Sequence, residues 1–245
     1  MSRHTAHRPP LRLPLLLANA VKGLWRGLVP IVLLNALPSL PTLLALMVNG
    51  EVSQTPTLAD LVALPIAVIL LVFAQGATVA GTHRLLQGDD FDLLLSMQQT
   101  WRRLPTLLGT AFLSGILVLL GLAALVVPGL MAIALLYLVL PACMIERTDM
   151  VESLERSGQL TQGYRWSILG LFILTLLPTI GLGAVTGDLA NAPATVMQAL
   201  GQEAGMMLFS MLSAVTATAA FERLGEIRGM PEAARPLPEW ASGKT

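Results

Sequence analysis

The sequence predicts an all-α polytopic membrane protein with six transmembrane helices in three hairpins, each hairpin preceded by an amphipathic interfacial helix. Three observations carry that prediction. Hydrophobic residues make up 54% of the 245-residue chain and charged residues 12%, against roughly 25% charged in a soluble domain. Apolar runs recur at about the 20 residues that a helix needs to cross the hydrocarbon core. All 15 Lys and Arg residues fall in segments that can share one side of a membrane. Bacterial insertion retains such residues in the cytoplasm, so both termini are expected inside and the protein in the bacterial inner (cytoplasmic) membrane.

Residues 1–12 are read as a disordered cytoplasmic tail, and 13–225 as the membrane domain. Over 13–27, Asn19, Lys22, Gly23 and Arg26 share one side of a helix, and Leu17, Val21, Leu24, Trp25 and Leu28 the other. That pattern suits a helix lying in the interface. The start imitates a secretory signal, but Pro14 interrupts a short apolar core and Lys22 and Arg26 follow at once, so cleavage is not expected. The first two spans are placed at 28–48 and 61–82, joined by an outer loop at 49–60 that holds Glu51 and Asp60 and no base.

Residues 89–104 begin with Asp89, Asp90 and Asp92 and end with Arg102 and Arg103, matching the helix dipole at both ends. Phe91, Leu94, Leu95 and Trp101 supply an apolar side, so a second interfacial helix is expected there. The apolar stretch from Leu107 to Ile145 is too long for one crossing and carries Pro128-Gly129 near its centre. Proline removes a donor and glycine permits a reversal, which divides the stretch into spans 106–126 and 129–145. Basic segments on both sides of it require the same even number of crossings.

A third interfacial helix is read at 149–160. Asp149 and Glu152 stand in capping-box spacing, Glu152 and Arg156 form an i,i+4 pair, and Gly158 and Gly163 follow. Spans 167–185 and 201–221 complete the six, with an outer loop at 186–200 and a disordered cytoplasmic tail at 226–245. Trp25-Arg26, Trp101-Arg102 and Tyr164-Arg165 stand at the start of the odd-numbered spans. They are either a threefold internal repeat or the aromatic and basic belt found at any inner boundary.

The formal charge of zero argues against nucleic-acid binding, and the basic side suits anionic lipid headgroups. Membrane lipids, and another membrane protein, are the expected partners. The single cysteine, Cys143, leaves no intrachain disulfide. No cofactor or metal is implied. His4, His7 and His83 are scattered, and no Ser/His/Asp grouping, HExxH or Gly-rich phosphate loop occurs, so no catalytic residue is nominated and the chain is not read as an enzyme. The Asp89, Asp90, Asp92 cluster reads as first-turn acids rather than as a metal site.

No ionisable group lies deep in the six spans, whereas Asn35, Gln75, Ser114, Tyr137, Thr175 and the Ser210 to Thr218 set are polar and neutral. Such groups act as hydrogen-bonding glue between helices, and Asn35 and Gln75 are the candidates for intramembrane polar packing. Gly76–Ala80 and Ala77–Gly81 add small-residue spacing beside Gln75.

The run Val127-Pro128-Gly129-Leu130, then Leu140-Pro141-Ala142, Glu146, Glu152 to Ser157, Leu160 to Gly163 and Arg165-Trp166 resembles a known pattern. It is similar to the YciC-like bacterial inner-membrane proteins and to the membrane domain attached to some glycerophosphodiester phosphodiesterases. The resemblance implies an integral membrane protein without a defined biochemical role, because catalysis in those phosphodiesterases resides in a separate soluble domain. Within the matching stretch, Arg156, Ser157 and Arg165 are the candidate contacts for a lipid headgroup or a partner, since arginine forks match phosphate oxygens. The competing reading is a capped surface helix whose hydroxyls satisfy backbone groups. Two functions follow as expectations. One is a non-catalytic protein that organises lipids or partner proteins at the cytoplasmic face. The other is a channel or transporter for a neutral or lipid-like solute. Mid-depth polar residues that pair helix to helix favour the first, and residues that converge on a hydrated cavity favour the second.

Overall fold

The computed structural model describes residues 13–49, 58–124, 126–188 and 196–228. Regular structure among them is entirely helical: α1 (Leu13–Arg26), α2 (Leu28–Ala36), α3 (Leu40–Asn49), α4 (Leu58–Gln87), α5 (Leu93–Ala124), α6 (Val126–Leu136), α7 (Val139–Ile145), α8 (Met150–Thr161), α9 (Arg165–Asp188) and α10 (Val196–Ile227). Four helices are long and apolar enough to cross a membrane, with spans at Val62–Gln87, Leu93–Ala123, Arg165–Leu182 and Leu200–Ile227. These overlap the second, third, fifth and sixth predicted spans. The predicted tail 1–12 and most of 226–245 lie outside the described residues, as do parts of both predicted outer loops; α10 carries the helix two residues past 225.

The other two predicted spans are interrupted, and proline is the reason in each. Pro38 and Pro41 cannot donate to the carbonyls four residues before them, so the chain between α2 and α3 tightens into a 3-10 turn at Leu37–Ser39. Ser39 Oγ donates back to the Ala36 carbonyl at 2.8 Å. Pro141 likewise faces the carbonyl of Tyr137, and the predicted span 129–145 divides there into α6 and α7. The α2–α3 arm meets α1 at 83°. Gly27 at that corner lets Leu85 of α4 approach, since a Cβ would stand 2.6 Å from Leu85 Cδ1.

Two expected elements need correction. Residues 89–104 do not form a separate interfacial helix: α5 runs without a break from Leu93 through Pro105 to Ala124. The ladder loses one donor at Pro105, and packing compensates on both sides of it. Thr100 and Leu107 seat on α4 at Gly76, where a Cβ would come within 2.8 and 2.9 Å of them. The expected trio of flat helices is therefore not matched at its second member. The reversal at Pro128-Gly129 is also displaced. α5 ends at Ala124 and α6 begins at Val126, which places Pro128 in the first turn of α6, where its missing N–H costs nothing. Gly129 serves instead as the closest approach, its backbone lying 3.1 Å from the Cβ position of Gly121 across the hairpin.

The turn from α4 to α5 is built by Gly88, whose φ of 98° lies in the left-handed region. Its N–H donates to Leu85 and that of Asp89 to Arg84 (3.2 and 3.0 Å), the paired bonds that close a helix C-terminus. Asp92 then opens α5 by accepting the Leu95 N–H at 2.9 Å, so this member of the acidic cluster is a helix cap.

Burial is concentrated toward one end of the bundle. It runs through Val72–Leu85 of α4, Ala134–Met144, Leu160, Ile168–Leu171 and Met211–Leu224. Toward the other end the long helices expose apolar side chains such as Val62, Leu64 and Ile66 on α4, Leu119 and Leu120 on α5, and Ile180 on α9. Apolar groups left outward over that length suit contact with hydrocarbon rather than water.

Candidate functional site

The polar side chains within the apolar length close on one another. Asn35 of α2 donates through Nδ2 to Thr78 Oγ1 of α4 at 3.0 Å and to the Ile31 carbonyl at 2.8 Å. Its Oδ1 accepts from Ser210 Oγ of α10 at 2.6 Å. Gln75 Nε2 donates to the same Ser210 hydroxyl at 2.8 Å and to the Ser210 carbonyl at 3.2 Å, and the Thr78 hydroxyl donates to the Ala74 carbonyl at 2.8 Å. Asn35, Thr78 and Ser210 are all buried, and Gln75 is half-buried. Asn35 and Gln75 are thus brought together through Ser210, three helices joined at one level. That level lies about 12 Å in from His83 along α4, taking about 1.5 Å per residue.

A second joint has Tyr137 OH against Thr216 Oγ1 at 2.7 Å, with Tyr137, Phe172 and Phe209 stacked edge to face at 5.8 Å intervals. Ser210→Ala should remove the centre of the first joint. The expected loss is about 0.6 kcal/mol for each coupled pair, reaching about 1.7 kcal/mol at most, as membrane hydrogen bonds measure. A double-mutant cycle with Asn35→Ala in detergent unfolding checks it, and full additivity would show that the pair is not coupled.

The charged contacts form a separate layer at the buried end. His83 Nδ1 meets Glu222 Oε1 at 2.6 Å, joining the ends of α4 and α10. Arg228 Nη2 donates to the Gln162 carbonyl at 2.8 Å, which ties α10 to the end of α8. Arg103 forks across the carbonyls of Cys143 (3.0 Å) and Arg147 (2.9 Å), a cation at the C-terminus of α7. Because Arg103 stands near the beginning of the α5 stretch and Cys143 near the end of α7, the chain between them goes out and returns to the same level. Burial first, and then the Arg103 charge, pull the Arg147 guanidinium below its ordinary pKa.

Each nominated loop residue has a definite place here. Arg156 finds a partner outside its own helix. It forks onto Glu146, with Nε to Oε2 at 2.7 Å and Nη2 to Oε1 at 3.1 Å. The capping box at Asp149 is absent: no side-chain bond caps α8, and the Asp149 carbonyl instead accepts the Ser153 N–H and hydroxyl. Ser157 is 0% exposed, and its hydroxyl donates to the Leu135 carbonyl. That carbonyl is in the last turn of α6, where the break before Pro141 frees it from the ladder, so Ser157 completes the hydrogen bonding of an interrupted helix. This puts Ser157 out of reach of a headgroup.

Arg165 is half-buried at the start of α9, with no hydrogen-bond partner for its buried Nε. α8 turns Ser153, Ser157, Leu160 and Thr161 inward and leaves Val151 outward. Ser157→Ala should cost about 1–3 kcal/mol by orphaning a buried carbonyl, read as a lower unfolding midpoint with unchanged helical content.

The aromatic-basic pairs also diverge. Trp25 and Trp101 are exposed, whereas Tyr164 packs on the core and Trp166, 71% exposed, takes the outward place. Glu146 and Ser210 are the residues that sequence reasoning missed as partners. No family model matches this chain, and no curated protein or solved structure matches it.

Proposed function

We propose that the chain is a non-catalytic integral protein of the bacterial inner membrane that organises lipids or partner proteins at the cytoplasmic face, as its likeness to the YciC-like proteins implies. In this reading α2–α3 and α6–α7 are proline-interrupted crossings. With α4, α5, α9 and α10 they make six spans in three hairpins, with both termini inside.

One observation carries the reading: the mid-depth polar groups Asn35, Thr78, Gln75 and Ser210 pair helix to helix. A solute path needs polar groups that face the solute, and here the donors of Asn35, Thr78 and Ser210 have protein acceptors. The aromatic and basic layer at the other level supports contact with headgroups, because Trp and Arg both favour the interface. A channel or transporter for a neutral or lipid-like solute is the second reading, favoured by the breaks at Pro38, Pro41 and Pro141. Yet a carbonyl beside each of two of those breaks is taken up, the Ala36 carbonyl by Ser39 and the Leu135 carbonyl by Ser157.

Native mass spectrometry of the purified protein tests the first reading. Retention of an anionic phospholipid or a partner protein is expected. A folded protein that retains neither, and that carries neutral solute across vesicles, would favour the second.

A further inference from the structure

Of the three residues nominated near the inner loop, two are taken. Ser157 is buried against the Leu135 carbonyl and Arg156 is forked onto Glu146. Arg165 remains. It is half-buried at the first residue of α9, its Nε is closed off from solvent, and its side chain has no hydrogen bond or ion pair among the described residues. A guanidinium N–H that loses water without gaining an acceptor is costly, so the position suits an arginine that meets an anion.

A contact places a second base at the same turn. Arg228, just past the end of α10, donates Nη2 to the carbonyl of Gln162 at 2.8 Å, three residues before Arg165. Between them the chain folds back: Gly163 has a φ of 88°, and the Tyr164 N–H donates to the Thr161 carbonyl at 2.9 Å. That one bond leaves other donors of the Arg228 guanidinium for a ligand.

No acid occurs in the sequence between Glu155 and Asp188. On the neighbouring helices Glu226 binds Arg223, Glu222 meets His83 and Glu146 holds Arg156. Glu152 and Glu155 are exposed on α8, and Glu155 accepts from Gln159 at 3.4 Å. Along the helix axis they stand about 15 and 10 Å from Gln162, beyond the screening length of about 8 Å at physiological salt. Arg165 and Arg228 thus set the charge of the turn. Arg84 also has a buried Nε without an acceptor, but the Asp89 N–H bonds its carbonyl at the head of an acidic turn, which disfavours an anion there.

An apolar track leads away from the two arginines. Trp166, Gly170, Ile173 and Leu177 follow at helical spacing on one face of α9, and all four are exposed. A Cβ at Gly170 would meet nothing within 4 Å, so the glycine leaves a notch between Trp166 and Ile173. From Trp166 to Leu177 the track rises about 16 Å, close to half of the roughly 30 Å hydrocarbon core.

We propose that the start of α9 holds an anionic phospholipid, its phosphate on Arg165 and Arg228 and one acyl chain along Trp166, Gly170 and Ile173. The inference rests on the membrane reading above and names the ligand class and the residues. Guanidinium forks match phosphate oxygens, which a free phosphate also offers. The track favours the lipid, because a soluble anion has nothing to lay against Trp166 and Gly170.

The test uses the full chain in nanodiscs of phosphatidylcholine containing a titrated fraction of phosphatidylglycerol. Retained phosphatidylglycerol is counted by native mass spectrometry for the parent, for Arg165→Gln with Arg228→Gln, and for Gly170→Leu. The double variant should bind it roughly 25-fold more weakly, about fivefold for each arginine at a headgroup surface. Glutamine keeps an N–H for the Gln162 carbonyl, so helical content should not change. Gly170→Leu fills the notch and should bind about fivefold more weakly, the loss of about ten carbon contacts. It should also unfold at the same temperature or a higher one, because leucine is the better helix former and meets no neighbour. A residue with only a structural role could not lose lipid without losing stability.

Millimolar inorganic phosphate should leave lipid retention unchanged. If it displaces the lipid fully, the site is one for a soluble phosphate and the lipid assignment is wrong. If Gly170→Leu retains phosphatidylglycerol as the parent does, the acyl track is wrong. If the double variant does so, this site is wrong and the membrane reading stands. Retention of no anionic lipid by a folded parent overturns this site together with the lipid arm of that reading.

Discussion

Arg156→Ala is expected to destabilise the bundle by about 3–5 kcal/mol, the typical loss when one partner of a buried ion pair is removed. Glu146 is 7% exposed at its side chain and receives both prongs of the Arg156 fork. Truncating the arginine leaves a desolvated carboxylate without that fork, and α8 loses its tie to the end of α7. Arg156→Lys should recover only part of the loss, because a point charge cannot reproduce two parallel bonds. Replacing the pair together, Glu146→Leu with Arg156→Met, should return stability close to the parent, since the charge and its partner leave at once. Unfolding midpoints in detergent decide it. A single variant as stable as the parent would mean that the pair carries no weight, and would return Arg156 to the pool of headgroup ligands.

Gly81→Leu is the second large effect, expected at about 1–3 kcal/mol or more from overpacking. The ring of Phe91, from the turn between α4 and α5, lies where a Cβ at position 81 would be. The turn can neither move away freely nor accept the side chain, since Gly88 and Asp92 fix it from both ends. Adding Phe91→Ala opens the space. The double variant should therefore be more stable than the sum of the two single losses predicts, a coupling visible in a double-mutant cycle. Strict additivity would show that the ring does not cover Gly81.

These two positions also mark what could be read in the chain and what could not. The long helices were legible because apolar runs of the required length stand between basic segments, and α4, α9 and α10 carry them. Small-residue spacing at Gly76 and Gly81 correctly pointed to close packing. It could not say that α5 covers the first and a turn residue the second. The prolines were legible as disturbances. Which of them interrupts a helix was not, because Pro105 is held inside α5 by its neighbours, whereas the helix breaks ahead of Pro141, where Ser157 takes up the Leu135 carbonyl at the end of α6.

Asn35 and Gln75 were legible one by one as neutral polar groups in apolar surroundings. Their common partner, Ser210, lies 175 residues from Asn35, and nothing local in one sequence encodes that meeting. The Glu146 partner of Arg156 was hidden for the same reason: the i,i+4 rule considers only the residue's own helix, and Glu146 is 10 residues away across a turn. Ser157 belongs to a short helix with polar groups on several sides, so the direction of its inward face depends on the carbonyl it meets in α6.

In the proposed topology the arginine-rich layer stands at the cytoplasmic surface of the membrane, with the loops that lack bases on the other side. Single-cysteine labelling of intact cells on a Cys143→Ala background tests it most directly. A membrane-impermeant maleimide should label Thr55→Cys and Ala192→Cys from outside, and Glu155→Cys only after the inner face is opened. Labelling of Glu155→Cys in intact cells, or protection of Thr55→Cys and Ala192→Cys until the inner face is opened, would contradict the account.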